Sequence, residues 1–196
     1  MRIRHAFLKL NTIDGMFLLW AIPIGIVVGY LLGGRLKNLN QINLHAPWLI
    51  FVALGIQLLI FPIGKGTPII PFATEYLHIA SYLILGIFVL LNWREWGMVA
   101  MAIGALSNFV VISANGGFMP TRIETLRFAG LVTADTTLSP GEPFRNNVIM
   151  GENAPLGFMG DVFALPAGFP LANVFSIGDV ILAIGFIAYL QAKMRS

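Results

Sequence analysis

The chain has no cysteine and very little charge. Of its 196 residues only 11% are Asp, Glu, Lys or Arg, against roughly one quarter in an ordinary soluble domain. The missing thiols exclude disulfides, iron–sulfur ligation, thiolate catalysis and cysteine zinc sites. The missing charge excludes a water-soluble globule and a disordered tail. Twelve Lys and Arg stand against nine Asp and Glu, thinly spread and without a basic run, so no nucleic-acid partner is expected. Several signatures are also absent: a Gly-x-Ser-x-Gly elbow, a phosphate-binding glycine loop, a His-Glu-x-x-His pair, an arginine repeat and a potassium-filter sequence. What the chain has is apolar: 57% hydrophobic residues and a mean hydropathy of +0.82. The length fits one membrane domain and leaves no room for a second large globular one.

Five segments have the length to cross a bilayer, whose core of about 30 Å needs roughly 17 to 20 apolar residues of helix. They are residues 15–34, 47–64, 77–93, 97–115 and 176–192. Each satisfies its own backbone hydrogen bonds as a helix, which hydrocarbon demands. The expected fold class is therefore an all-α integral membrane protein of five transmembrane helices. A segment over 1–14 precedes them. Ile3, Phe7 and Leu10 fall on one face there, with Arg2 and Lys9 elsewhere, a weak interfacial amphipathic pattern. This basic start followed by an apolar run imitates a secretory signal, but no small-x-small cleavage site follows, so the first span is expected to remain.

Lys and Arg in short loops set the orientation. Arg35, Lys37, Arg94, Lys193 and Arg195 share one side, with Trp48, Trp93, Trp96 and Tyr189 at the same ends. That side is read as cytoplasmic and includes the C-terminus. The other side carries the loop 65–76 and a long segment over 118–174. The basic N-terminus falls on this outer side too, against the rule.

Small residues recur where helices can approach closely. Ala21, Gly25, Gly29 and Gly33 repeat every fourth residue of the first span, and Gly97, Ala100, Gly104 and Ser107 form a second stripe. Small-x-x-x-small faces bring helix backbones together in lipid. The stripes serve either packing within the chain or, at Gly25, Gly29 and Gly33, a homodimer or a partner in a membrane complex. No internal repeat supports an inverted-repeat transporter.

The segment 118–174 exceeds the usual loop length, which signals function or disorder, and its apolar content argues against disorder. Thr121 and Glu124 have capping-box spacing, ahead of a short apolar face at Ile123, Leu126, Phe128 and Leu131 that Gly130 would end. The stretch 138–147 reads as turns. Residues 155–175 are apolar but cut by glycine and proline, so they either re-enter the bilayer or lie as a lid over the helix ends.

Polar residues at membrane depth are costly and mark candidate sites. Glu75, His78 and Tyr82 share one face of the third span; Asn115 ends the fourth; Asp161 lies in the outer segment; Asp179 lies in the first turn of the fifth, with Ser176 as its N-cap. The topology brings their ends to one membrane face. These six are the candidate ligand-binding residues. Gln57 and Asn108 read as interhelical glue. Glu-x-x-His occurs once and His5 and His45 are remote, so no metal site is expected. Glu75, His78 and Tyr82 could also relay protons.

Three stretches carry a resemblance: Ala114-Asn115-Gly116-Gly117-Phe118-Met119-Pro120, Gly160-Asp161-Val162-Phe163-Ala164-Leu165-Pro166, and Phe175-Ser176-Ile177-Gly178-Asp179-Val180. In this order they resemble a family of small bacterial polytopic membrane proteins of unknown function. The resemblance implies a bacterial plasma-membrane location and a shared architecture, and no reaction. The chain then divides into an interfacial segment 1–14, four spans over 15–117, an extracytoplasmic segment 118–174, and a last span with a basic tail over 175–196. The expected role is non-catalytic: binding a lipid, quinone or lipid-linked ligand in a polar pocket under an apolar flap, with free N–H groups at Ser176–Asp179 available to a polar or anionic head, or serving as an accessory subunit of a membrane complex. The alternatives are an enzyme on a lipid-linked substrate, using Glu75, His78, Asp161 or Arg122, and a small proton-coupled transporter.

Overall fold

The computed structural model describes residues 16–61 and 67–196. The amphipathic pattern expected over 1–14, and residues 62–64 of the expected second span, lie outside the described residues. A 3-10 turn, Met16–Trp20, leads into α1 (Ala21–Leu31). A second 3-10 turn, Leu36–Gln41, is followed by α2 (Trp48–Ile60), α3 (Thr74–Leu91) and α4 (Met98–Ala114). After the outer segment, which holds the short α5 (Ile123–Phe128), α6 (Ile177–Arg195) closes the chain.

Two of these helices, α3 with 18 residues and α6 with 19, are long and apolar enough to cross a membrane. The apolar helices Phe17–Leu31, Trp48–Ile60 and Met98–Ala114 are shorter than the spans expected there. The causes are local. Gly33 takes φ +82° and, with Gly34, closes α1: Gly33 N–H donates to Tyr30 O and Gly34 N–H to Gly29 O, the paired bonds of a Schellman stop. Phe61 is extended (φ −112°, ψ 137°), as the residue before a proline tends to be. Gly116, at φ +66°, ends α4 in the same way as Gly33 ends α1, with Gly117 N–H donating to Ile112 O.

The helices form an arc: α2 packs on α3, α3 on α4, α4 on α6, and α6 on α1. Among the described residues no seam of like extent joins α1 to α2. One side of the arc is packed through glycine. A Cβ at Gly104 would lie 2.7 Å from the backbone nitrogen of Leu182, and one at Gly185 would lie 2.7 Å from that of Met101. Gly25 and Gly29 lie against the side chains of Leu190 and Met194 of α6, whereas a Cβ at Gly33 meets nothing within 4 Å among the described residues. Two members of the first small-residue stripe are thus in contact inside the chain. The other side of the arc is packed through larger side chains, with Leu49, Phe88 and Met98 as its buried centre.

The outer surface of the arc is apolar. Leu31 is 79% exposed, Phe51 72% and Leu90 71%, and only 17% of the apolar window in α3 is buried. The basic loops gather at one end: Arg35 N–H donates to Met194 O, and Lys193 pairs with Glu95 at 2.8 Å.

At the opposite end the outer segment folds as a small cap, and here the structure corrects the all-α expectation. β1 (Met119–Thr121) pairs in parallel with β3 (Asn147–Ile149), and β3 pairs antiparallel with β2 (Pro143–Phe144). β4 (Phe163–Ala164) pairs antiparallel with β5 (Val174–Phe175). The runs between prolines and glycines are too short for helices, so their backbone groups are satisfied between strands instead. Leu126, Ala129, Ile149 and Val174 form the cap's own core. The capping box expected from Thr121 and Glu124 does not form: Arg122 is the N-cap of α5, without a side-chain bond, and the Thr121 hydroxyl donates instead to Asp161 O at 2.8 Å. Gly130 does end α5, at φ +70°.

Candidate functional site

Each of the three stretches singled out in the sequence makes a close contact, two of them between cap and bundle and one within the cap. At the end of α4, the left-handed Gly116 and Gly117 turn the chain so tightly that Gly117 rests on the Cα of Glu75. The Gly117 carbonyl, freed by that turn, accepts a bond from His78 Nδ1 at 2.6 Å. Gly160 lies against Pro120, which lets Asp161 N–H donate to Pro120 O at 2.9 Å. At the start of α6, Ser176 and Asp179 form a complete capping box. Asp179 N–H donates to Ser176 Oγ (3.0 Å) and Ser176 N–H to Asp179 Oδ2 (2.9 Å).

That box is anchored in the bundle by Asn108. Its Nδ2 donates to Asp179 Oδ1 and its Oδ1 accepts from the Ser176 hydroxyl, both at 2.8 Å. Asn108 lies about 9 Å along the axis from the end of α4, so the cap reaches down between the helices before α6 begins. The N–H groups of Ser176 and Asp179, expected to be free for a polar or anionic head, are therefore already engaged.

Beneath the cap lies a cavity of about 340 Å³. Its apolar walls come from Ile50 and Leu54 of α2, Leu85 and Phe88 of α3, and Met101 and Ala105 of α4. Leu182 of α6 and Leu18 of the first 3-10 turn also face it. That turn is held in place by the stacking of Phe17 on Phe175, with ring centroids 4.0 Å apart. The polar lining comes from Gln57, His78, Tyr82, Asn108 and Asp179 on the helices, and from Asn146, Asp161 and Asn173 on the cap. Tyr82 interacts with the Asn108 side chain and lies within electrostatic reach of Asp161 and Asp179.

Four of the six expected residues, His78, Tyr82, Asp161 and Asp179, thus share the cavity wall. Glu75 and Asn115 do not line it. Glu75 sits in the first turn of α3, where an acid meets the helix dipole favourably. Asn115 Nδ2 donates to Val111 O and Pro155 O, both at 2.8 Å, tying α4 to the cap. Arg122 is exposed at the start of α5. His78 is buried between the edges of Phe61 and Tyr82, with centroids 4.7 and 5.4 Å away. No hydrogen bond joins Glu75 to His78, or His78 to Tyr82, among the described residues. Nor does any group of three His, Asp or Glu there suit a metal ion.

Sequence reasoning missed the asparagines of the cap. Asn147 Nδ2 donates to Asp161 Oδ2 at 2.7 Å and so holds that buried carboxylate. Asn146 Oδ1 is buried without a hydrogen-bond partner among the described residues. Both lie at the β2–β3 turn, within the stretch read as turns, and apolar periodicity gives no sign of a buried polar hairpin. Gln57 and Asn108, assigned to interhelical packing, are also part of the wall. Their depth in otherwise apolar spans was the available signal.

A relative and a family model each match most of the chain. A protein of Thermotoga maritima, described as uncharacterized, is 27% identical over 165 residues, covering 84% of this chain and 85% of the relative. No solved structure matches the chain. Residues 41–191 match a family described as a family of unknown function, DUF5317. That match takes in α2 through most of α6 and all of the cap, and the chain belongs to the DUF5317 family.

Proposed function

We propose that this protein is a membrane module that binds an amphiphile, a lipid, quinone or lipid-linked molecule, with its head under the cap and its tail along α2, α3 and α4. The observation that carries this reading is the cavity itself. It joins an apolar wall of Leu54, Leu85 and Met101 to a polar lining of Tyr82, Asn108, Asp161 and Asp179. Ligand sites of this kind are mostly apolar, with a few convergent polar groups that fix orientation.

Access supports the same reading. Leu54 lines the cavity and is also 46% exposed, and the arc has no tight seam between α1 and α2 among the described residues. A ligand dissolved in the bilayer would enter there without crossing water. The outward apolar surface of the arc, with Leu31, Phe51 and Leu90 all more than 70% exposed, supports a membrane setting. In this reading all five long helical segments cross the bacterial plasma membrane, the shorter ones completed by their flanking residues. The end bearing Arg35, Lys37, Arg94, Lys193 and Arg195 is then cytoplasmic, and the cap lies outside.

Native mass spectrometry of the protein purified in a mild detergent tests the proposal. The expected spectrum carries one retained amphiphile per chain that survives detergent stripping. A bare protein mass after purification from its own membrane, with no added lipid or quinone able to bind it, would refute the reading.

A further inference from the structure

The end of the bundle that carries the cap has an uncharged rim. Residues 67–73 before α3, 153–160 before the buried Asp161, and 162–178 after it contain no Asp, Glu, Lys, Arg or His. Every other charged residue of the cap falls within 122–152, with Asp135 and Glu142 exposed. The uncharged stretches turn large apolar side chains outward. Phe72 is 71% exposed and Phe158 76%, and Ile69, Phe163 and Phe169 are exposed as well.

The three stretches meet different helices. Ile70 N–H donates to Leu59 O at 2.8 Å, so the first folds back against the last turn of α2 before it leads into α3. The second is tied to the end of α4 through the bond from Asn115 to Pro155 O. The third lies beside the start of α1, where Trp20 Nε1 donates to Pro170 O at 3.3 Å and the Trp20 ring is 5.3 Å from that of Phe169. It then runs into α6 at the Ser176 cap. The first and third stretches also reach below the helix ends: one lies level with Leu59, and the other passes into α6 at the depth of Asn108.

From this placement we propose that the cap does not stand clear of the bilayer. Its rim is sunk in the headgroup–acyl boundary of the outer leaflet around the arc, with the charged part of 122–152 turned to water. This rests on the membrane reading above and adds a depth to it. The 13 residues of α2 rise only about 20 Å, short of the roughly 30 Å of a bilayer core, and the loop 67–73 supplies apolar cover at that end. Apolar and aromatic side chains without charge suit the boundary layer. A partner protein docks on one face, whereas aromatic tips at the ends of α3, α4 and α1 match a surface that surrounds the molecule.

The chain lacks cysteine, so single-cysteine variants of the full-length protein can each carry one environment-sensitive fluorophore. The test places it at Phe72→Cys, Phe158→Cys and Phe169→Cys on the rim, with Ile69→Cys and Phe163→Cys as second positions on the first and third stretches. Asp135→Cys and Glu142→Cys report the charged part, and Leu83→Cys, exposed midway along α3, reports the membrane reading itself. The protein is held in phospholipid nanodiscs, which leave both faces open to water, and quenched by iodide or by lipids spin-labelled near the top or the end of the acyl chain. The expected result is loss of fluorescence to the shallow lipid label, and protection from iodide, on all three rim stretches, with the reverse at Asp135 and Glu142. Iodide reaching any rim stretch as freely as Asp135, or a rim stretch shielded from both quenchers by another protein chain, overturns the inference. The membrane reading then stands if Leu83 is quenched by the lipid labelled at its chain end. Leu83 quenched by iodide and not by lipid overturns both.

Discussion

The two sides of the helix arc solve the packing problem differently. Between α4 and α6 the contact is made by backbone, with Gly97 and Gly104 on one partner and Gly178 and Gly185 on the other, so no space remains. Between α2, α3 and α4 it is made by leucine, phenylalanine and methionine, and space remains inside as the cavity. In the proposed bilayer setting, which supplies no hydrophobic drive to press helices together, close approach of small residues would do the holding. The glycine side therefore acts as the frame. The side-chain side, next to the open edge of the arc, is free to accommodate a guest.

The largest effect expected from breaking this contrast is at Gly185. Gly185→Leu drives a side chain into the backbone of α4 near Met101. It should destabilise the protein by about 3 kcal/mol, the upper end for overpacking, seen as a much lower melting temperature in detergent and loss of a single size-exclusion peak. Ser176→Ala removes one half of the capping box and the donor to Asn108 Oδ1. A loss of about 1–2 kcal/mol is expected, measured by thermal or chemical unfolding. Asn115→Ala frees the Pro155 carbonyl at the cap edge and should cost about 1 kcal/mol, with faster proteolysis of the cap as a second readout. The contrast is sharpened most by Gly86→Ala in α3, where a Cβ meets nothing within 4 Å. There the same residue type should stabilise, by about 0.5–1 kcal/mol. A destabilised Gly86→Ala would show that the side-chain half is packed as tightly as the glycine half.

How much of this was legible in the sequence follows from which forces leave a periodic trace. The apolar runs, the helix end at Asn115 and Gly116, and the Ser176 N-cap were readable, because each depends on residues within one or two turns. The first small-residue stripe was readable as a packing face, although spacing alone did not identify α6 as its neighbour. The counterpart of the second stripe on α6, Gly178 with Gly185, was missed because a seven-residue spacing of two glycines is weak by itself. The lengths of α1 and α2 were overestimated because hydropathy runs past the point where Gly33 and Phe61 turn the backbone. The cap's strands were missed for the opposite reason: two- and three-residue strands are too short for alternation to be seen. Gathering His78, Tyr82, Asp161 and Asp179 at one end followed from topology alone, since helix ends of known direction must meet. Separating them from Glu75 and Asn115 required side-chain geometry.

The central claim, a guest lodged inside the arc, is tested most directly by photolabelling. A long-chain alkyl probe bearing a diazirine near its tail end is incubated with the protein, irradiated, and mapped by peptide mass spectrometry. The account predicts saturable labels at Leu54, Leu85 and Met101, and their loss in Ala105→Phe while that variant keeps its fold. Labels confined to the outward residues Phe51, Leu90 and Val99, unchanged in the variant, would show that lipid only coats the molecule and that the cavity holds nothing.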